Sequence, residues 1–241
     1  MIRNSFTYDT INSSDYGVYI SGDAVFDAPV AAYEMISIPG RSGDLAIYSG
    51  RYENIEVSYP AFIYKDFKEN IRDLRSALMS RHGYQRISDT YHPDEFRLGV
   101  YQGGLEVTPA AYLTEGDFEV VFNCKPQRFL TSGETEQIFT SSGNITNPTE
   151  FDAKPLFIVE GHGTLGVGNE SIIISGSPTR PVYIDTDIMD AWTVSGTAKV
   201  SYNSFISYSN NTPPVLPPGR TGIAPGSGIT KVTVVPRWYI L

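Results

Sequence analysis

One segment of the chain has the hydrophobic period of an amphipathic helix. Between Lys65 and Arg81 the large apolar residues are four, three and four positions apart, so they fall on one face of a 3.6-residue helix. The positions between them are mostly charged and predict a face turned toward water. The predicted core face consists of Phe67, Ile71, Leu74 and Leu78. We expect this helix to cover one side of a sheet, with His82-Gly83 following its end.

The rest of the sequence is typical of strands. Segments 16–20, 33–38, 45–50 and 53–64 are rich in aromatic and β-branched residues and alternate in part with a period of two. Beyond residue 155 the strand-like runs are short and separated by Gly and Pro, as in a β-sandwich. Residues 131–155 are rich in Ser, Thr, Asn and Gly, which favours a linker there. We therefore expect a mainly β chain with two domains, 1–130 and 131–241.

A turn is predicted between two of the first strands, at Ile38-Pro39-Gly40-Arg41-Ser42-Gly43-Asp44-Leu45. Pro-Gly is a strong turn former. The glycines and the arginine invite comparison with a phosphate-binding loop. However, no Gly-Lys-Ser/Thr follows, and the next segment predicts a strand rather than a helix. The segment is therefore interpreted as the tip of a hairpin.

Charge and composition exclude several classes of protein. The net charge of −9 and the pI near 4.8 do not suit a nucleic-acid-binding surface, which needs clustered Lys and Arg. No apolar run approaches the roughly 20 residues that span a bilayer, and the first residues lack the apolar core of a secretory signal. We therefore expect folding in the cytoplasm, without membrane insertion. The single cysteine, Cys124, lies in an apolar strand and is predicted to be a buried structural thiol.

Residues with catalytic potential form no recognisable pattern. The three histidines are far apart in sequence, and neither a G-x-S-x-G nor a His-Glu-x-x-His motif is present. Asp89, His92, Asp94 and Glu95 are close together, but their spacing matches neither an EF-hand nor a zinc site, and a turn explains them. A pair of carboxylates could serve a glycosidase, although nothing singles out one pair. We predict no enzyme activity, no cofactor and no metal.

The order of several motifs resembles the distal tail protein of siphophages. In the first half, the resemblance rests on segment 38–45, the amphipathic helix, and segments 87–98 and 118–129. In the second half, it rests on Asn147-Pro148-Thr149, Lys154-Pro155 and segments 216–219 and 228–238. Each motif is loose, but their order and spacing extend over essentially the full length.

This resemblance implies a fold and a set of partners. The first domain would be a tail-tube-like β-sandwich or barrel flanked by one helix, and the second a galectin-like β-sandwich. Six copies would form a ring at the distal tip of a virion tail, phage or prophage, after assembly in the host cytoplasm. The ring would contact the tail tube protein, a tail-associated lysin or fibre-like protein, and receptor-binding or other baseplate proteins. DNA would leave through its channel without sequence-specific binding, and no catalytic residues carry over.

Two hypotheses concern binding surfaces. Segment 38–45 is a candidate subunit interface, and the hairpin Ile38–Tyr52 that contains it would supply part of the interface by strand addition to a neighbouring copy. The alternative function is that of a carbohydrate-binding adhesin, in which exposed aromatic rings stack on sugars. The candidate rings are Trp192, Tyr202, Tyr208 and Trp238. Packing of these rings in a core is the competing explanation.

Overall fold

The computed structural model describes residues 3–21, 27–63, 66–109 and 116–241, which form two compact units. The first unit extends to Arg128 and includes Leu241, and the second comprises Phe129–Ile240. Both units are mainly β, and the described residues contain one α-helix, which confirms the predicted fold class. Within these residues, no helix has the length and apolarity that crossing a membrane requires.

Of the described elements, ten strands and the helix belong to the first unit. They are β1 (Phe6–Tyr8), β2 (Ile11–Asn12), β3 (Val18–Ile20), β4 (Ala31–Ile36), β5 (Leu45–Tyr52), β6 (Ile55–Ile63), α1 (Phe67–Met79), β7 (Gln85–Asp89), β8 (Glu95–Tyr101), β9 (Val107–Pro109) and β10 (Gly116–Cys124). Seven of the strands form an antiparallel sheet in the order β2-β1-β7-β8-β10-β6-β3, and β9 also pairs with β10. The sheet curls so that β3 approaches the start of β1. The backbone N of Ile20 in β3 donates there to Asn4 O, just before β1, at 2.9 Å.

Aromatic rings fill the centre of the first core. Phe122 lies within 6.1 Å, between ring centroids, of four other rings from three strands. These rings are Phe6, Tyr8, Tyr59 and Tyr101. Rings at such separations interact favourably beyond the area they bury. Since the five rings come from β1, β6, β8 and β10, they hold the curled sheet together from inside.

The helix α1 closes this core. Phe67, Leu74 and Leu78 are buried in it, and Ile71 packs against its edge. The helix is shorter than predicted: it ends at Met79, where Ser80 is the C-cap and its hydroxyl donates to Ala77 O at 2.7 Å. The expected end at His82-Gly83 was wrong because Ser80 satisfies a terminal carbonyl two residues earlier. Lys65, the expected first residue, lies outside the described residues.

The second unit is a sandwich of two antiparallel sheets. Its strands are β11 (Arg128–Leu130, which starts on the last residue of the first unit), β12 (Gln137–Phe139), β13 (Gly143–Asn147), β14 (Leu156–Gly161), β15 (Gly163–Val167), β16 (Glu170–Ile174), β17 (Val182–Asp185), β18 (Asp190–Ser195), β19 (Ala198–Ser201), β20 (Ile206–Tyr208), β21 (Gly219–Pro225), β22 (Ile229–Val235) and β23 (Tyr239–Ile240). One sheet has the order β12-β22-β14-β17-β18-β19 and the other β13-β21-β15-β16-β20. Side chains from both sheets form one core.

The segment 131–155, where a linker was expected, lies inside the second unit. Its strands β12 and β13 pair with β22 and β21, one in each sheet of the sandwich. Its Ser, Thr, Asn and Gly residues therefore reflect short strands joined by turns, and not a flexible connection. Both are edge strands, whose outward positions accept polar residues.

A buried asparagine explains one of the sequence motifs. The Asn147 amide donates to Phe151 O at 2.8 Å and to Leu216 O at 2.9 Å. Its carbonyl oxygen accepts from the backbone N and the hydroxyl of Thr149, at 2.9 and 2.8 Å. The side chain thus uses both donors and its acceptor, as a buried polar group must. It ties the start of the sandwich to the segment that precedes β21.

Truncation of the helix face should destabilise the first unit. We expect Leu74→Ala to cost about 2–5 kcal/mol of unfolding free energy, since Leu74 is fully buried and its removal leaves a cavity. The neighbouring Arg75→Ala, on the exposed side of the same helix, should change stability by no more than about 0.5 kcal/mol. Urea unfolding followed by circular dichroism compares the two. Equal effects would show that α1 does not close the core.

The buried cysteine gives a second test. Cys124 is fully buried, and burial raises the pKa of its thiol to about 12, although the nearby Arg97 acts in the opposite direction. Because the thiolate is the reactive form, only about one thiol in ten thousand is ionised at pH 8. We expect the native protein to resist a thiol reagent at this pH, and the protein in concentrated guanidinium chloride to react fully. Equal labelling rates in the two states would contradict the burial.

Candidate subunit interface

The predicted hairpin is present as a separate two-stranded sheet. Strands β4 and β5 pair antiparallel from Ala31↔Tyr52 to Ile36↔Leu45, with a register shift between Ala31 and Tyr33. Within the described part of the chain, these two strands pair only with each other. Residues 53 and 54 connect them directly to β6 of the main sheet. We call residues 31–52 the arm.

The predicted interface residues form the tip of the arm. Arg41 N donates to Ile38 O at 3.1 Å, and Gly40 between them has a φ of 80°. Proline in the second position and a left-handed glycine in the third define a type II turn. Seven of the eight residues in segment 38–45 are exposed, and Ile38 is half-buried. The subunit-interface role assigned to Ile38, Pro39, Gly40, Arg41, Ser42, Gly43, Asp44 and Leu45 stays a prediction.

The arm exposes large apolar side chains along both strands. The exposed ones are Tyr33, Met35, Ile36, Leu45, Ile47 and Tyr48. They lie on both faces, because residues opposite each other in the register share a face. Tyr33 is opposite Tyr48, with ring centroids 5.2 Å apart, whereas Ile36 is opposite Leu45. Contiguous exposed apolar surface of this kind marks an interaction site.

The backbone of the arm is also available for pairing. A two-stranded hairpin has two outer edges, each with unpaired N–H and C=O groups that can take up another strand. An isolated hairpin is only marginally stable in water, and packing against a further layer stabilises it. Apolar faces and open edges together therefore suit contact with another protein surface, by packing, by strand addition or by both.

Part of this surface was not predicted from the sequence. The hairpin from Ile38 to Tyr52 was singled out, whereas the strand that precedes it was not. The missed residues are Tyr33, Met35 and Ile36. The available signal was the absence of strict alternation: YEMISI and LAIYSG carry apolar residues on both faces, which indicates a strand covered on both sides. No second layer in the described part of this chain covers these strands.

The acidic group around Asp89 is a turn, as predicted. The Asp89 carboxylate accepts from the backbone N of Tyr91 and of His92, both at 2.9 Å, and from the Tyr59 hydroxyl at 2.8 Å. His92 Nδ1 lies 3.2 Å from the same carboxylate. In the described residues, no group of three or more His, Cys, Asp or Glu side chains is arranged to hold a metal ion.

The aromatic residues proposed for sugar stacking are packed in the sandwich. Trp238 and Trp192 are buried, and the Trp192 ring is stacked on Tyr183 with centroids 5.6 Å apart. Tyr202 and Tyr208 pack against the second core, and the Tyr202 hydroxyl donates to Ser175 O at 3.2 Å. This burial favours core packing as the explanation for these four residues, and it weakens the adhesin hypothesis.

Comparison with known proteins identifies the fold. No protein-family model matches the sequence, and no curated protein matches it significantly. The solved structure of the SPP1 Dit (gp 19.1) protein, described as a paradigm of the hub adsorption apparatus in phages that infect Gram-positive bacteria, matches with a TM-score of 0.72 and 14% identity. That match covers 99% of this chain and 99% of the other.

Two structures of the phage P2 baseplate in its activated conformation also match. The form with Ca gives a TM-score of 0.54 at 7% identity, over 97% of this chain and 98% of that one. The form with Sr gives 0.53 at 8% identity, over 96% of each chain. These likenesses establish a Dit-like fold along almost the whole chain. The predicted resemblance to distal tail proteins is therefore confirmed for the fold.

Substitution on the arm should affect association and leave folding intact. We expect Met35→Ser to change unfolding free energy by no more than about 0.5 kcal/mol, because the side chain is exposed, and to weaken self-association. Ile138→Ser is a matched control: Ile138 lies in β12 of the second unit and, like Met35, is 59% exposed. Sedimentation velocity over a range of concentrations measures the association. Equal behaviour of the two variants would exclude the arm as the interface.

Proposed function

We propose that this protein is a structural, non-enzymatic subunit of a phage tail tip, and that copies of it assemble into a ring hub. The observation that carries the proposal is the arm, a hairpin with apolar side chains on both faces that nothing else in the described chain covers. The Dit-like fold supports the same role, since its relatives by fold come from a phage adsorption hub and a phage baseplate.

A ring follows from the kind of contact that the arm can make. The arm of one copy would lie against a different surface of the next copy, which is a head-to-tail contact. Such contacts generate either a closed ring or an open filament. Closure at six copies is the number that the resemblance to distal tail proteins implies. In this arrangement, surfaces of neighbouring subunits cover both faces of the arm.

The charge of the protein suits a channel for DNA. Each copy carries a net charge of −9, which repels phosphate groups. DNA would therefore pass through the ring without binding to it, because affinity for DNA depends on clustered Lys and Arg. The tail tube protein would lie on one side of the ring. A tail-associated lysin or fibre-like protein would lie on the other.

The second unit supplies a separate surface for partners. It is a complete sandwich with its own core, so it can carry a docking surface without disturbing the first unit. We propose that this galectin-like unit holds receptor-binding or other baseplate proteins. The packed state of Trp192 and Trp238 supports protein partners over sugars on this unit.

Imaging of the purified protein tests the proposal. Mass photometry should show a species of about six copies, and negative-stain electron microscopy should show a ring with a central channel. Deletion of Gly40–Asp44 should abolish the ring. It removes the tip of the arm, and it strains the shortened connection between β4 and β5. A protein that stays monomeric at high concentration would count against self-assembly.

A second deletion controls for general damage. Asn210 and Asn211 lie in an exposed turn of the second unit, after β20. A variant that lacks them should still form the ring. Loss of the ring in both deletions would mean that assembly does not depend specifically on the arm. Rings of normal size from the Gly40–Asp44 deletion would exclude the tip of the arm from the contact.

A further inference from the structure

The first unit contains a buried arginine with no hydrogen-bond partner for its two terminal nitrogens. Arg97 lies on β8, at the start of the inward-facing row that continues through Gly99 and Tyr101. The residue is 7% exposed, and neither Nη1 nor Nη2 has a partner. A buried charge without a partner is strongly unfavourable, and arginine cannot relieve the penalty by losing its proton at ordinary pH.

The carboxylates that line the same cavity are used elsewhere. Asp89 accepts from the Tyr59 hydroxyl and from two backbone N–H groups, as described above. Glu95 faces Arg128, with Glu95 Oε2 and Arg128 Nη1 3.5 Å apart. Neither acid hydrogen-bonds to the terminal nitrogens of Arg97. Within the described residues, Nη1 and Nη2 of Arg97 therefore have no carboxylate as a hydrogen-bond partner, and the charge of Glu95 acts on the guanidinium without such a bond.

A second guanidinium lies close by. Arg128 lines the same cavity and is also buried. Burial lowers the pKa of the Arg97 guanidinium, and the nearby charge of Arg128 lowers it further. Two buried guanidinium groups that line one cavity repel each other, and an acceptor of negative charge between them would offset both the repulsion and the missing hydrogen bonds.

The cavity is large enough for one water molecule or one small ion. Its volume is about 20 Å³, little more than the space needed for one water molecule. Its wall combines apolar and polar side chains, among them Val57, Tyr59 and Ile87. A phosphate or sulfate group, with four oxygens around a central atom, is too large for this space. A single halide ion is not.

We propose that this cavity is a binding site for a monovalent halide, chloride under physiological conditions, held by Arg97 with support from Arg128. The ion accepts hydrogen bonds from Nη1 and Nη2 and compensates the buried charge. It acts as a structural anion within the first unit. This inference is independent of the role in a phage tail.

Thermal unfolding of the full chain in different anions tests the proposal. Sodium chloride is compared with sodium gluconate at equal ionic strength, because gluconate is too large for the cavity. Chloride at ten times its Kd should raise the ratio of folded to unfolded protein about elevenfold. This corresponds to a rise of a few degrees in Tm, which continues to grow with the logarithm of the chloride concentration. Identical Tm values in the two salts over the whole titration would overturn the proposal.

A matched pair of variants assigns the effect to the site. Arg97→Met should lose the difference between the two salts, and in gluconate it should be at least as stable as the unmodified protein, because it removes an unpaired buried charge. Arg72→Met should keep the difference, since Arg72 is exposed and pairs with Asp73. Retention of the chloride effect in folded Arg97→Met would overturn the assignment.

Crystals grown with bromide give an answer that does not depend on any variant. Anomalous scattering should show one bromide peak in the cavity, at hydrogen-bond distance from Arg97 Nη1 and Nη2. A water molecule in the cavity without an anomalous peak, at the highest bromide concentration of the thermal titration, would show that the guanidinium is hydrated instead and would overturn the proposal.

Discussion

The pairing of β6 with β10 is the interaction on which the rest of the first unit depends. The two strands are in register over nine residues, from Gly116↔Ile63 to Cys124↔Ile55. Strand β10 also pairs with β8 and β9, and β6 also pairs with β3, so this ladder forms the middle of the curled sheet. It supplies Tyr59 and Phe122 to the aromatic core. Because β5 leads into β6 within two residues, the same ladder fixes the base of the arm.

The arm differs from the usual surface strands of a globular domain in its distribution of apolar residues. Its strands carry apolar residues on both faces, as strands in the interior of a protein do, yet they extend from a unit whose own core is complete without them. A free surface of this kind favours aggregation unless a defined partner covers it. The type II turn at Pro39-Gly40 limits the conformations of the tip, where Ile36 pairs with Leu45. The arm is thus ordered in advance for contact with a partner surface, which we propose belongs to another copy.

Much of the fold could be predicted from the sequence where the pattern was local. The spacing of Phe67, Leu74 and Leu78 indicated the helix, and Pro39-Gly40 indicated the hairpin tip, because each signal lies within a few neighbouring residues. The strands in 131–155 could not be predicted in this way. Their partners β21 and β22 are between 72 and 97 residues away, and the polar composition of an edge strand resembles that of a linker. The exposure of the arm depends likewise on the absence of a covering layer, which no local pattern reveals.

The burial of Arg97 could not be predicted from local sequence either. In the segment Phe96-Arg97-Leu98 an arginine between two apolar residues predicts an outward-facing side chain, because charged residues are rarely buried. The register with β7 decides otherwise: Arg97 is opposite Ile87, which is buried in the core, so the two side chains share the inner face. A charge in that position persists only if something compensates it. Its neighbours Asp89 and Glu95 are engaged with Tyr59 and Arg128, and neither hydrogen-bonds to the terminal nitrogens of Arg97. These two nitrogens are therefore where the proposed anion from outside the chain would bind.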